Sequence, residues 1–251
     1  PCTAVVEETH SDNMFQLTPS ATAVDSIQYD NAFRMCFSDP NQGSASADYI
    51  AENKLATKVA IIYNSSDTYS SGIYQTFATE AKEKGLDVVA AEAFTADNKT
   101  DFSVQIQKAK DAGAELVFLP IYYQEASLIL AQANKAGFTP KWFGCDGMDG
   151  ILDLDGFDAN LAEDLMFLTP FTANATDEAT QKFVADYKEA FGDTPIQFAA
   201  DAYDCVYVIK AAAEKENVTP DQSASDICDA LKKGMTEITY DGLTGKSITW
   251  S

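Results

Sequence analysis

The stretch Val59-Ala60-Ile61-Ile62-Tyr63 has four aliphatic residues in a row before its tyrosine. A run that short and that continuous reads as a strand buried on both faces, the kind found in parallel sheets. The residues around it repeat one rhythm. Helical periodicity covers 71–84, with Ile73, Phe77 and Ala81 four apart, and Gly85 stands where a helix C-cap belongs. A strand follows over 86–94, then a helix over 102–112 closed by Gly113, then the apolar strand Leu116-Val117-Phe118-Leu119. A helix over 124–136 closed by Gly137 comes next, with strands over 141–144 and 165–168. This repetition predicts an α/β fold with parallel sheets flanked by helices on both faces. Further helices are read over 44–53, 178–191, 199–214 and 224–233. Residues 240–250 are turn-rich with β-branched positions and read as a hairpin. Pro170, in Leu168-Thr169-Pro170-Phe171, reads as a crossover between units, because proline disfavours helix and caps a strand.

Composition narrows the function classes. The chain has 251 residues, 46% hydrophobic and 22% charged, enough for two modest domains with a real core. Its net charge of -22, from 39 acidic and 17 basic residues, repels nucleic acid and anionic membrane and sets both aside as partners. No apolar run approaches the length of a membrane span. The five cysteines form no Cys-x-x-Cys pair, so zinc and redox motifs are poor readings and buried small hydrophobes the better one. His10 is the only histidine and is read as a surface or capping residue of a helix, not a general base. Nucleophile-elbow, P-loop and dinucleotide motifs are missing, so neither an enzyme nor a cofactor is expected. The acidic run Asp149, Asp153, Asp155 and Asp158 has Gly156 misplaced for a calcium loop and reads as solvated; no metal is expected. Four Asn-x-Ser/Thr sequons (Asn64, Asn98, Asn174, Asn217) read as chance.

In an open parallel sheet, ligands bind beyond the carboxyl ends of the strands. That rule selects Thr18-Pro19-Ser20-Ala21-Thr22 after the first apolar stretch, 14–17, and Asn64 to Tyr69 after Tyr63. It also selects Pro120-Ile121-Tyr122-Tyr123 and Cys145-Asp146-Gly147. Hydroxyls and loop amides can hold a small carboxylate, a carboxylate can hold an ammonium, and aromatic rings can wall an apolar side chain. The set suits a zwitterion such as an α-amino acid. Each residue also has a plainer reading. Ser20 and Thr22 could cap helices or form turns, Tyr69 and Tyr122 could be half-buried aromatics, and Asp146 could start a turn.

Six segments, in order, resemble the leucine/isoleucine/valine-binding proteins of ABC importers. Thr18 to Thr22 is similar to their Ser-Pro-x-Ala-Thr loop, and Phe33 to Gly43 to their Arg-x-x-x-x-Asp-x-x-Gln-Gly crossover. Tyr69-Ser70-Ser71-Gly72 resembles their Tyr-Gly-x-Gly loop, with Ser for the first Gly. Tyr122-Tyr123-Gln124-Glu125, Gly144-Cys145-Asp146-Gly147 and Tyr240 to Lys246 resemble three later segments. The resemblance implies a type I periplasmic binding fold of two Rossmann-like lobes, lobe 1 from 1–40 and 170–251 and lobe 2 from 41–169. It implies that lobe 1 is incomplete, the family starting before Pro1 and continuing past Ser251, and that this piece alone binds weakly or not at all. It implies a small amino acid bound between the lobes, branched-chain type favoured. The ligand-binding set would be Ser20, Ala21, Thr22, Tyr69, Tyr122, Asp146, Gly147 and Phe198. Thr22 and the backbone around Ser20 would hold the carboxylate and Asp146 the ammonium, where the family commonly has glutamate. Tyr69 and Tyr122 would close over the ligand, and Phe198 would line the side-chain pocket. Implied partners are ABC permease subunits, and the implied location is the periplasm or the extracellular face of the bacterial membrane, with a lipid anchor on the missing N-terminus as one variant. A sensory receptor of the same fold for an amide, urea or aromatic acid is the alternative.

Overall fold

The computed structural model describes residues 2–251. The chain divides into two compact units, one running to Ser38 and resuming over Pro170–Ser251, the other spanning Asp39–Thr169. The first begins with helix α1 (Cys2–Ser11), strand β1 (Gln16–Thr18), a 3-10 turn (Val24–Ile27) and strand β2 (Ala32–Arg34). β1 and β2 pair in parallel, Gln16 opposite Ala32 and Thr18 opposite Arg34. β2 opens the segment read above as a crossover; three residues are too few to show a strand period.

The second unit alternates α2 (Asp39–Glu52), β3 (Lys58–Asn64), α3 (Thr68–Glu83), β4 (Asp87–Phe94), α4 (Ser103–Asp111), β5 (Leu116–Leu119), α5 (Tyr123–Lys135), β6 (Lys141–Gly144) and β7 (Leu165–Phe167). Its five strands are parallel and ordered β4-β3-β5-β6-β7. The apolar run in β3 is buried on both faces. Val59 and Ile61 pack with Ala47 and Ile50 of α2 and Ile73 and Phe77 of α3. Ala60 and Ile62 pack with Ile106 and Ala109 of α4 and Ile129 and Leu130 of α5. The helices end where glycine lets the chain turn left-handed: Gly85, Gly113 and Gly137 have φ of 75°, 70° and 61°.

α2 starts five residues before the expected 44–53, because Asp39 and Pro40 form its first turn, where proline's missing N–H costs nothing. Its buried stripe is Asp39, Gln42, Gly43, Ser46, Ala47 and Ile50. At Gly43 a Cβ would lie 2.6 Å from the Ile73 carbonyl oxygen and 2.8 Å from the Phe77 nitrogen, both backbone atoms of α3. The two helices touch through their main chains there. Gly43→Ala is therefore expected to destabilise the fold by about 1–3 kcal/mol through overpacking, read as a lower urea midpoint at unchanged slope.

After Pro170 the first unit continues with α6 (Glu178–Phe191), α7 (Gln197–Lys215) and α8 (Ala224–Glu237). α6 is capped by Asp177, which accepts from the Thr180 amide at 2.9 Å. α8 runs four residues past the expected stop at 233. Gly234 is a packing position, not a breaker: a Cβ there would lie 2.7 Å from the Ala212 carbonyl of α7. The tail makes one antiparallel bridge, Tyr240 with Ile248, closed by two hydrogen bonds of 2.9 Å, in place of the longer hairpin expected. Trp250 ties it to β2, donating through Nε1 to the Arg34 carbonyl at 2.9 Å. Among the described residues no helix is long and apolar enough to cross a membrane.

Candidate ligand-binding site

In the Asp39–Thr169 unit the chain steps one way from β3 to β4, then crosses back past β3 to β5 and continues the other way, so the order reverses between β3 and β5. Open α/β sheets bind ligands at that switch, beyond the carboxyl ends of the strands. Tyr69 stands in the first turn of α3, after β3, and Tyr122 caps the N-terminus of α5, after β5. Asp146 and Gly147 open a short 3-10 turn after β6.

The fold brings these four residues together. The Tyr69 and Tyr122 rings stack with centroids 4.8 Å apart. The Tyr69 hydroxyl donates to Asp146 Oδ1 at 2.7 Å and accepts from the Gly147 amide at 2.9 Å. The Asp146 amide in turn donates to Gln42 Oε1 at 3.1 Å. Linked bonds of this kind polarise one another and hold the carboxyl group in one orientation. Gly147 is there for room: a Cβ would lie 2.8 Å from the Tyr69 oxygen and 3.0 Å from the Tyr122 ring. Tyr69 and Asp146 are buried, whereas Tyr122 is 43% exposed and forms the open wall of the group.

Burial raises the Asp146 pKa above the ordinary carboxylate value; the Tyr69 hydroxyl, the Gln42 carboxamide and the Gly147 amide pull it back. Burial, then the nearby Asp146 charge, pushes the Tyr69 phenol well up, so it stays a neutral donor. Burial lifts Tyr122 as well, reinforced by Asp67, Asp146, Asp39 and Glu125. Desolvation disfavours a charge at Asp146, and a cation placed against it would relieve that cost.

In the other unit, Ser20, Ala21 and Thr22 follow β1. The Ala21 amide donates to Thr18 Oγ1 at 3.0 Å, which shapes the turn. Arg34 Nη1 donates to the carbonyls of Thr22 at 3.0 Å and Ala23 at 3.3 Å. Ser20 Oγ donates to Asp201 Oδ2 at 2.9 Å, so its hydroxyl proton is committed and only its lone pairs face outward. The amides of Ser20 and Thr22 and the Thr22 hydroxyl make no hydrogen bond among the described residues. A loop with such spare donors suits an anion. Phe198 is half-buried in the first turn of α7, one turn before Asp201.

Gln42 and Asp201 escaped the sequence reading. Both lie on the buried stripe of an amphipathic helix, where a polar residue signals a built contact. That signal was present, but the partners lie 104 and 181 residues away along the chain.

Comparison with known proteins covers the whole chain. A family model described as "periplasmic binding protein" matches residues 1–251. Leu/Ile/Val-binding protein homolog 3 of Brucella melitensis is 30% identical over 235 residues, covering 91% of this chain and 61% of that protein. Among solved structures, the branched-chain amino acid transporter substrate-binding protein LivJ of Streptococcus pneumoniae, in complex with isoleucine, superposes with a TM-score of 0.84. It is 28% identical, over 97% of this chain and 67% of that one. The leucine-binding protein LivK of Thermotoga maritima gives a TM-score of 0.84 at 26% identity, over 98% and 68%. The chain thus spans about three fifths of the length of the curated relatives it matches.

Proposed function

Since the chain belongs to the periplasmic binding protein family, we propose that it carries the ligand-binding surfaces of an extracytoplasmic solute receptor serving an ABC importer. The ligand class we propose is a small α-amino acid, with branched-chain side chains favoured. The observation that carries this reading is Asp146: a buried carboxylate held by Tyr69, beside a stacked tyrosine, at the switch point of a parallel sheet. A buried carboxylate in that position is built to meet a cation.

The roles follow from the donor inventory. Asp146 takes the α-ammonium. The Ser20 and Thr22 amides and the Thr22 hydroxyl take the α-carboxylate. Tyr122, Gly147 and Ala21 supply surface, and Phe198 walls the apolar side chain. The matched family is one of solute binders, and capture without chemistry is the role proposed for this chain. Permease subunits are its proposed partners, and the periplasm, or a lipid-anchored position on the outer face, its proposed location.

Thermal-shift screening of the protein carrying this chain tests the reading. Leucine, isoleucine and valine are expected to raise the melting temperature, since ligand at one hundred times Kd adds about 2.7 kcal/mol of stability. A shift from amides, urea or aromatic acids with none from amino acids would overturn it.

The raised pKa of Asp146 adds a pH dependence. As pH falls through that midpoint, the carboxylate takes up a proton and the ammonium loses its counter-charge. Affinity is therefore expected to fall on acidification at a higher pH than an unperturbed carboxylate, near about 3.9, would give. Calorimetric titration from pH 7 downward reads it, and an Asp146→Asn variant is expected to lose the dependence.

A further inference from the structure

The α2 residue Gln42 is only 1% exposed and sits against Asp146. A backbone N–H can only donate, so the Asp146 amide fixes which end of the carboxamide faces it: Oε1 accepts at 3.1 Å. The nitrogen end is thereby turned away from that amide. Nε2 is buried and has no hydrogen-bond partner among the described residues. An amide nitrogen with two donors rarely stays buried and unpaired, and where it does, a function usually accounts for it.

We propose that Gln42 is a positioning residue for Asp146, holding the residue by its backbone through Oε1 and keeping Nε2 donors in reserve for the carboxylate when it is ionised against a bound ammonium. The inference rests on the ligand reading given above, and it gives that reading an internal control. The Gln42 carboxamide lowers the Asp146 pKa against the effect of burial, which fits a donor aimed at the charged form. Other elements contribute the remaining groups. Tyr69 donates from α3. The Tyr122 ring from α5 and the Cys145 thiol at the end of β6 stand close enough to feel the Asp146 charge. Asp39, on α2 with Gln42, acts on the same two groups. Among these groups it is Tyr69 and Gln42, both neutral donors, that favour the charged carboxylate.

Two variants test the role. Gln42→Met keeps length and apolar packing but removes the acceptor and both donors. Gln42→Glu keeps an acceptor and replaces the donors with a second acid. The carboxyl carbon of Asp146 is followed by NMR against pH in the ligand-free chain. Both variants are expected to move its midpoint to higher pH. Calorimetry with isoleucine is expected to show a parallel upward move of the pH at which affinity is lost. A merely structural role would lower stability or affinity at every pH and leave the Asp146 midpoint in place; that result would overturn the proposal. If Gln42→Met fails to fold, Gln42→Leu takes its place as the deciding variant, because the second acid in Gln42→Glu raises the Asp146 midpoint by charge repulsion in either case. The two readings separate cleanly. A shifted midpoint in a protein that binds no amino acid leaves the Gln42 role standing and removes the ligand reading. Amino acid binding with an unmoved midpoint does the reverse.

Discussion

Replacing Asp146 by alanine is expected to weaken binding of a branched-chain amino acid by on the order of 2–4 kcal/mol, about 30- to 800-fold. The loss comes from the ligand side: an α-ammonium withdrawn from water and left without its counter-charge bears its own desolvation cost. Asp146→Asn sharpens the test, because it keeps the volume and an acceptor for the Tyr69 hydroxyl while removing the charge. Its affinity is expected to fall nearly as far. Its folding is expected to behave in the opposite sense. Burial raises the Asp146 pKa, so the folded chain binds that proton more tightly than the unfolded chain, and ionisation of the group opposes folding as pH rises through the raised midpoint. At pH 7 the ligand-free asparagine variant should resist urea at least as well as the native chain. Titration calorimetry with urea unfolding on the same samples checks both halves, and unchanged affinity in the alanine variant would refute the role.

The second large effect lies away from the proposed binding residues. Asp204 of α7 is fully buried and gathers the tail. It accepts from the Leu243 amide at 3.0 Å, the Thr244 amide at 2.9 Å, the Thr244 hydroxyl at 2.8 Å and the Tyr240 hydroxyl at 3.3 Å. Gly242 is required beside it, since a Cβ there would run into the Asp204 carboxylate. Asp204→Ala leaves two amides and two hydroxyls without this acceptor. It is expected to cost about 3–5 kcal/mol, because several donors lose their acceptor at once and each buried donor left unsatisfied costs about 1–3 kcal/mol. A urea-unfolding series reads the loss, and hydrogen exchange should quicken at Leu243 and Thr244. A cost below about 1 kcal/mol, or unchanged protection there, would mean that other contacts hold the tail.

What could be read beforehand, and what could not, follows from how far each contact reaches along the chain. The run 59–63 is apolar without alternation because helices cover both faces of its sheet, and that is a local signal. Gly85, Gly113 and Gly137 are local too: each takes the left-handed conformation that ends its helix. The strand-end rule reached Tyr69, Tyr122, Asp146 and Gly147, which come together because one sheet aligns the ends of β3, β5 and β6. Reading failed where meaning depends on a distant partner. Gly234 looks like a stop signal until the Ala212 carbonyl is placed against it. Asp204 looks like a surface acid until Thr244, forty residues on, donates to it. Gln42 looks like part of a crossover until α2 is seen to begin at Asp39 and turn that residue inward.

The central claim is that Asp146 recognises an ammonium, and a matched pair of ligands tests it most directly. L-leucine and 4-methyl-2-oxopentanoate share the carboxylate and the side chain and differ in the α-ammonium. Titrated at pH 7 into the protein carrying this chain, leucine is expected to bind at least about 30-fold more tightly, the lower bound set by one buried charge pair. In the Asp146→Asn variant that preference is expected to disappear. Equal affinity for the two ligands in the native protein, or a preference that survives in the variant, would contradict the assignment.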